Sequence, residues 1–249
     1  MSVEKTPVSI STKAIRQFFS EISSTYDFVN SLCTLGLDFY WRKMALKLAL
    51  PSSKTKTSAT TQQKWLDVCA GTGKMTLNLA EKARNDTEIV ALDFSSQMLS
   101  HIKPQPNTCS IQRCLADVKQ LPFPDATFDL VTLSFATRNL HSNRTDLIRC
   151  FSEIQRVIKP GGRFLNLETS QPENKIINEL LHFFVETVVP NVGAWFSGSP
   201  APYRYLASSM KAFYNPNELA DLLSEAGFRK VAFKQLTFGT VAAHLSWKA

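Results

Sequence analysis

Asp67, Gly71, Gly73 and Asp93 have the types and the spacing of a cofactor cradle. They punctuate the stretch KWLDVCAGTGKMTLNLAEKARNDTEIVALD, residues 64–93: an apolar run up to Val68, a Gly-Thr-Gly turn, a helix-forming segment, and a second apolar run that closes on an acid. Glycine lets the backbone turn sharply and approach a ligand, and an acid about 20 residues past the turn can accept hydrogen bonds from ribose hydroxyls. The pattern predicts a strand, turn, helix and strand around a nucleotide-like cofactor. Alone, the turn does not distinguish one nucleotide-like cofactor from another. The five cysteines (Cys33, Cys69, Cys109, Cys114, Cys150) are odd in number and lack CxxC spacing, so neither a zinc site nor a disulfide framework is expected. They read as reduced, buried thiols of a protein in a reducing compartment, and the four histidines have no metal-ligand spacing.

A cradle of this kind needs a sheet to hold it. At 249 residues, 44% hydrophobic and 20% charged, the chain fits one α/β domain with additions, and disorder of the whole chain is excluded. The elements alternate. A helix ends at Ile102, before Pro104 and Pro106. The third strand spans Cys109–Leu115, leading to Asp117 and LPFPDATF. Asp129–Ser134 is the fourth strand, 143–158 a helix stopped by Lys159-Pro160-Gly161-Gly162, and Phe164–Leu167 the fifth strand. Strands and helices in this rhythm imply a parallel sheet covered on both faces. A capped helix opens at Asn215-Pro216 and ends at Gly227, and two strands, Phe228–Leu236 and Thr240–Trp247, form a terminal antiparallel hairpin.

Three segments stand outside the rhythm. Residues 1–50 predict an N-terminal helical cap, with Thr12 as a helix N-cap and an amphipathic helix in which Arg42, Lys43 and Lys47 lie among Phe39, Met44, Leu46, Leu48 and Leu50, ended by Pro51. Residues 51–63, rich in Ser, Thr, Lys and Gln, predict a flexible linker before a main domain over 64–249. Residues 171–212 mix large apolar groups with Gly and Pro and predict an inserted helical lid; a surface helix pair completing the core is the alternative. No run reaches about 18 consecutive apolar residues, and no secretory signal is expected. Net charge +7 suits an anionic surface, yet no dense basic and aromatic tract argues for nucleic acid.

Residues 60–170 resemble the class I S-adenosylmethionine-dependent methyltransferases: Asp67 before the glycine turn, Asp93 followed by Phe94-Ser95-Ser96-Gln97-Met98-Leu99, and Asp117 before LPFPDATFDLV. The resemblance implies a Rossmann-like α/β fold, a seven-stranded, mainly parallel sheet with one antiparallel strand near its edge. It assigns Asp67, Gly71, Gly73 and Thr76 to the methionine side of S-adenosyl-L-methionine, Asp93 to the ribose, and Asp117 and Val118 to the adenine. The match narrows further. Tyr26-Asp27 with Asn30, Leu35-Gly36, Trp41-Arg42, Ser134-Phe135 with Arg138-Asn139, EIQRVIKPGGRFLNLETSQPEN, Tyr205–Ser209 and Trp247-Lys248 resemble the quinone-biosynthesis C-methyltransferases, the UbiE/MenG/Coq5 group. The chain departs from that group at Lys74, where an acid is usual, at Ala136-Thr137, where Gly-Leu is usual, and in LTFGTVAAHL. Lys74 sets a cation beside a sulfonium.

That resemblance implies methyl transfer to a ring carbon of a reduced, prenylated quinone precursor, with Ser134 among the cofactor-binding residues. A ring carbon becomes nucleophilic when a neighbouring hydroxyl, of pKa ~10, loses its proton. Arg138 would stabilise the oxyanion, Asn139 would orient a water or the substrate oxygen, and Tyr26 would hydrogen-bond from the cap. His141 is a candidate base, and a salt bridge that holds the loop is the alternative for Arg138. Phe183, Phe184, Val188, Val189, Trp195 and Phe196 would line a prenyl channel. Transient contact with anionic membranes is expected, with a homodimer or a place in a biosynthetic complex also open. A methyltransferase acting on another small hydrophobic acceptor and a non-catalytic cofactor-binding scaffold are the competing readings.

Overall fold

The computed structural model describes residues 17–18, 26–50, 62–103, 109–140 and 143–249. Seven strands form one sheet in the order β3-β2-β1-β4-β5-β7-β6. They are β1 (Lys64–Val68), β2 (Glu88–Asp93), β3 (Ser110–Leu115), β4 (Phe128–Ser134), β5 (Ile158–Thr169), β6 (Lys230–Leu236) and β7 (Val241–Trp247). β1 pairs in parallel with β2 and β4, β2 with β3, and β4 with β5, while β7 runs antiparallel between β5 and β6. The sheet is thus seven-stranded and mainly parallel, as the resemblance implied, with its one antiparallel strand second from the edge.

Eight α-helices are labelled here: α1 (Tyr26–Cys33), α2 (Leu37–Ala49), α3 (Lys74–Ala80), α4 (Ser96–Ser100), α5 (Arg144–Val157), α6 (Lys175–Ser197), α7 (Pro200–Lys211) and α8 (Pro216–Glu225). Alternate strand residues feed two cores, because successive side chains leave opposite faces of a strand. Leu66 and Phe164 pack with Phe151, Ile154 and Leu222 of α5 and α8 on one face. Trp65 and Leu165 pack with Ala45 and Leu46 of α2 and Met75 and Leu79 of α3 on the other. The amphipathic helix expected as part of a cap is therefore built into the core of the sheet. Its apolar stripe of Trp41, Ala45, Leu46 and Ala49 is buried, and Arg163 donates to the carbonyl of Ala49 at its end. α1 packs instead on α6, with Phe28 edge-on to Phe196 at 5.0 Å.

One expectation is corrected. Lys159–Gly162 does not simply stop a helix ahead of the fifth strand: β5 begins at Ile158, and the register slips between Phe128 and Leu130 as the extra residues bulge. The main chain there is paired with the terminal strand, Gly161 donating to Lys248 and Lys248 to Gly162. Within the segment 171–212, Pro190 and Gly193 lie inside α6, a helix of 23 residues. Gly193 is where α7 crosses: a Cβ there would stand 2.1 Å from Cγ of Tyr203. The break falls at Gly198, with φ 70°, which caps α6 in the left-handed conformation. Thr12, most of the linker 51–63, Pro104, Pro106 and His141 lie outside the described residues.

Candidate functional site

The strand order reverses between β1 and β4, and ligands of open α/β sheets bind at such a switch point, outside the carboxyl ends of the strands. A cleft opens there. Its walls include Gly71, Thr72, Asp93, Asp117, Val118, Ser134, Phe135 and Asn139, joined by Asp27, Arg42 and Lys74 from the N-terminal side and the turn.

The turn after β1 is fixed by its own backbone and by Asp93. The amide of Gly71 donates to Oδ2 of Asp93 at 2.9 Å, and the amide of Ser95 to Oδ1 at 2.9 Å, so two main-chain donors aim one carboxylate at the cleft. A Cβ at Gly71 would meet nothing within 4 Å, so that edge of the turn faces open space. Asp117 is aimed in the same manner, accepting from the amide of Lys119 at 2.9 Å. Cys69 is in the left-handed region at φ 54°, next to the turn. Burial, reinforced by the neighbouring Asp93, pushes its thiol well up, so it stays protonated.

Three residues assigned to the cofactor lie behind the cleft wall instead. Asp67 is fully buried and accepts from Oγ1 of Thr76 at 2.6 Å and Oγ1 of Thr132 at 2.7 Å, tying β1 to α3 and β4. Burial raises its pKa to about 6, against the pull of those two hydroxyls. Thr76 is equally buried. Gly73 is needed for packing: it caps α3 at φ 88°, and a Cβ would sit 2.6 Å from Cγ1 of Ile102.

On the opposite wall, β4 ends in Ser134, Phe135 turns left-handed at φ 56°, and Thr137–Asn139 form a single 3-10 turn. The ring of Phe135 is flanked by Trp41 at 6.0 Å and by the guanidinium of Arg42 at 5.0 Å. Arg138 points away from the cleft into a buried ion pair with Glu168, whose Oε1 also accepts from the amide and hydroxyl of Thr169. The hydroxyl of Thr137 donates to Asn166 at 2.7 Å. Asn139 is left on the wall, and its Oδ1 is buried without a hydrogen-bond partner.

Lys74, the departure at the turn, is balanced by acids from the N-terminal helices. Its Nζ lies 3.1 Å from Asp38 Oδ2, 3.5 Å from Asp27 Oδ1 and 3.0 Å from the hydroxyl of Ser31. Asp38 also pairs with Arg42 at 2.9 Å. Burial opposes its ionisation, but Arg42 and Lys74 outweigh that and hold its carboxyl below the usual range. Sequence reasoning set Lys74 beside the donor sulfur but did not place Asp27 or Arg42 on the cleft, nor Glu168 beside Arg138. The signals were there in the Tyr26-Asp27 and Trp41-Arg42 pairs and in NLETS, but the contacts span 30 to 47 residues. The side chain of Tyr26, and His141, lie outside the described residues. Among those described there is no group of three or more residues able to hold a metal, and all five cysteines are free.

A model of the ubiE/COQ5 methyltransferase family matches residues 7–248. The chain belongs to that family. It is a class I methyltransferase that depends on S-adenosyl-L-methionine. It is 34% identical over 238 residues to the demethylmenaquinone methyltransferase of Lactiplantibacillus plantarum, covering 94% of this chain and 95% of that protein. It is also 34% identical to the ubiquinone/menaquinone biosynthesis C-methyltransferase UbiE of Geobacter sulfurreducens, covering 94% and 88%. A solved S-adenosylmethionine-dependent methyltransferase from Thermotoga maritima superposes with a TM-score of 0.62 at 16% identity, over 94% of this chain and all of that one, which shows the shared fold.

Proposed function

We propose that this methyltransferase transfers the methyl group of S-adenosyl-L-methionine to a ring carbon of a reduced, prenylated quinone precursor, a demethylmenaquinol or 2-methoxy-6-polyprenyl-benzoquinol type of acceptor. The names of its relatives supply the acceptor class. The cleft fits the donor: Gly71 leaves open space, and Asp93 and Asp117 are carboxylates aimed by main-chain amides. In this reading Asp93 holds the ribose hydroxyls, Asp117 and Val118 the adenine, and Gly71 and Ser134 the region of the sulfur. Asp67, Thr76 and Gly73 keep the turn in place from behind. The donor, when bound, supplies an electrophilic methyl group on a sulfonium.

Asn139 carries the acceptor reading. A buried carbonyl oxygen without a partner on the cleft wall costs about 1–3 kcal/mol, and a phenolic hydroxyl donating to it removes that cost while fixing the ring. Asn139 thus orients the hydroxyl whose deprotonation activates the neighbouring carbon. Arg138, paired with Glu168, holds the Thr137–Asn139 turn in register. It is a positioning residue in this reading; the ring carbon takes the methyl as the S–C bond breaks, and the hydrogen that carbon carried leaves to water as a proton.

The prenyl tail leaves along α6, which exposes Ile176, Leu180, Phe183 and Trp195. With Phe28 and Phe39 on α1 and α2, and Lys43 4.1 Å above the ring of Phe39, these side chains suit transient docking on an anionic bilayer. No helix among the described residues is long and apolar enough to cross a membrane. Self-association or binding to another biosynthetic enzyme would use the same face. Incubation with labelled S-adenosylmethionine and a panel of short-tailed reduced benzoquinone and naphthoquinone precursors is expected to label a ring carbon. Label on oxygen alone, or tight donor binding with no product, would overturn the assignment.

A further inference from the structure

Residues 26–42 supply a second, ionic half to the donor cleft, carried by Asp27 of α1 and ordered by Lys74 of the glycine turn. Four ionised groups meet there. Asp38 is fully engaged, with Arg42 at 2.9 Å and Lys74 at 3.1 Å on the same carboxylate oxygen. Asp27 differs. Its Oδ1 accepts from the hydroxyl of Thr72 at 2.9 Å and lies 3.5 Å from Lys74, while its side chain is 42% exposed and lines the cleft. The backbone carbonyl of Asp27 also accepts from Lys74, at 3.4 Å. The carboxylate is therefore held from two points of the turn and still faces the cavity.

The position in the cleft gives this group a ligand. With Asp117 and Val118 at one end and Asp93 in the middle, the far end lies at Gly71 and Thr72, where Asp27, Arg42 and Lys74 gather. A donor laid out in that direction ends in an amino acid, which carries one ammonium and one carboxylate. Asp38 is occupied by two cations, so Asp27 is the acid available to the ammonium, and Arg42 and Lys74 set a positive field for the carboxylate. The cluster of two acids and two bases is neutral, as is the zwitterion, so neither has to be desolvated with net charge. This also accounts for a lysine beside a sulfonium: its charge is cancelled by groups that the N-terminal helices bring to the turn.

We propose that Asp27 binds the α-ammonium of the methionine end of the donor, with Lys74 and Asp38 as positioning residues that aim it. The inference rests on the assignment of the cleft to S-adenosylmethionine. Calorimetric titration of the full chain with S-adenosylhomocysteine, which keeps the amino acid, and with methylthioadenosine, which lacks it, tests the two separately. Asp27→Asn is expected to weaken S-adenosylhomocysteine by about 10- to 100-fold, the range of a hydrogen bond to a charged group, and methylthioadenosine by less than about twofold. Lys74→Met should give a smaller loss of the same selectivity, which Lys74→Arg restores. Equal losses for both ligands, or no loss for S-adenosylhomocysteine, would overturn the role of Asp27. Asp93→Asn separates the failures, since it should weaken both ligands; unchanged affinity for both would sink the assignment of the cleft itself.

Discussion

On the side of the cleft proposed for the donor, Asp93 and Asp117 stand at or just past strand ends and are aimed by main-chain amides two residues onward, with Gly71 closing on Asp93 across 22 residues. On the side proposed for the acceptor, Arg138 and Asn139 ride on one 3-10 turn whose hold is side chain to side chain: Arg138 to Glu168 across 30 residues and Thr137 to Asn166 across 29. The carboxylates of the first wall are therefore held by main-chain donors. The second depends on buried polar pairs, which are costly when half removed. Ala136 and Thr137, where the sequence departs from the group it resembles, fall on that second wall.

The largest effect should come from breaking the pair that holds the acceptor wall. Arg138→Ala leaves Glu168 buried without its cation and is expected to cost about 3–5 kcal/mol of stability in urea unfolding. At temperatures where the variant stays folded, its affinity for S-adenosylhomocysteine should match the parent's. A coupled fall in donor affinity would mean that the two walls are one unit. Asn139→Ala removes the unpaired acceptor itself, and turnover should drop by roughly 10- to 100-fold at unchanged donor affinity, the range of one lost hydrogen bond to the acceptor hydroxyl.

Acidity probes the two halves with opposite signs. His244 of β7 donates from Nε2 to the carbonyl of Pro216, and burial lowers its pKa to about 4. The unfolded chain then binds that proton more tightly, so the stability it contributes is whole above about pH 6.5 and is lost as the pH falls toward 4. Asp67, on the donor half, has a raised pKa, so its contribution is present below about pH 4 and is lost as the pH rises through about 6. Unfolding free energies of His244→Leu and Asp67→Asn against pH should lose slopes of opposite sign, each worth roughly 3 kcal/mol over its range. Matching slopes would contradict both shifts. The smallest effect is expected from Gly193→Ala, where overpacking against Tyr203 should cost ~1–3 kcal/mol. It should slow turnover of a long-tailed acceptor more than that of a tail-free one, if α6 guides the tail.

Much of the architecture was legible in the chain. Each of the seven strands overlaps a segment read as a strand in the chain, most plainly β1, β2 and β4, which are apolar nearly throughout because both faces are covered, whereas the edge strands β3 and β6 are largely exposed. Asp93, Asp117, Val118 and Ser134, named by the resemblance, line the cleft at or just beyond strand ends. Gly73, Asp67 and Thr76 look in the sequence like ligand contacts, yet they hold the turn from behind. The motif does not distinguish a glycine needed for a close ligand from one needed for Ile102, 29 residues further on and brought against it by the fold. α6 was harder still, since Pro190 and Gly193 are breakers by local preference and only the crossing of Tyr203 explains the glycine.

By itself, then, the sequence determined the class of fold and the residues at the strand ends that open onto the cleft, because these follow from patterns within a few tens of residues. The tertiary structure decided which of the glycines and acids face the cleft. It built α2 into the core of the sheet, turned Arg138 toward Glu168, and placed Asp27 and Asp38 on Lys74. Those choices depend on pairing charges and filling volume between segments far apart in the chain. A charge carries no mark of its partner until folding removes the water between them.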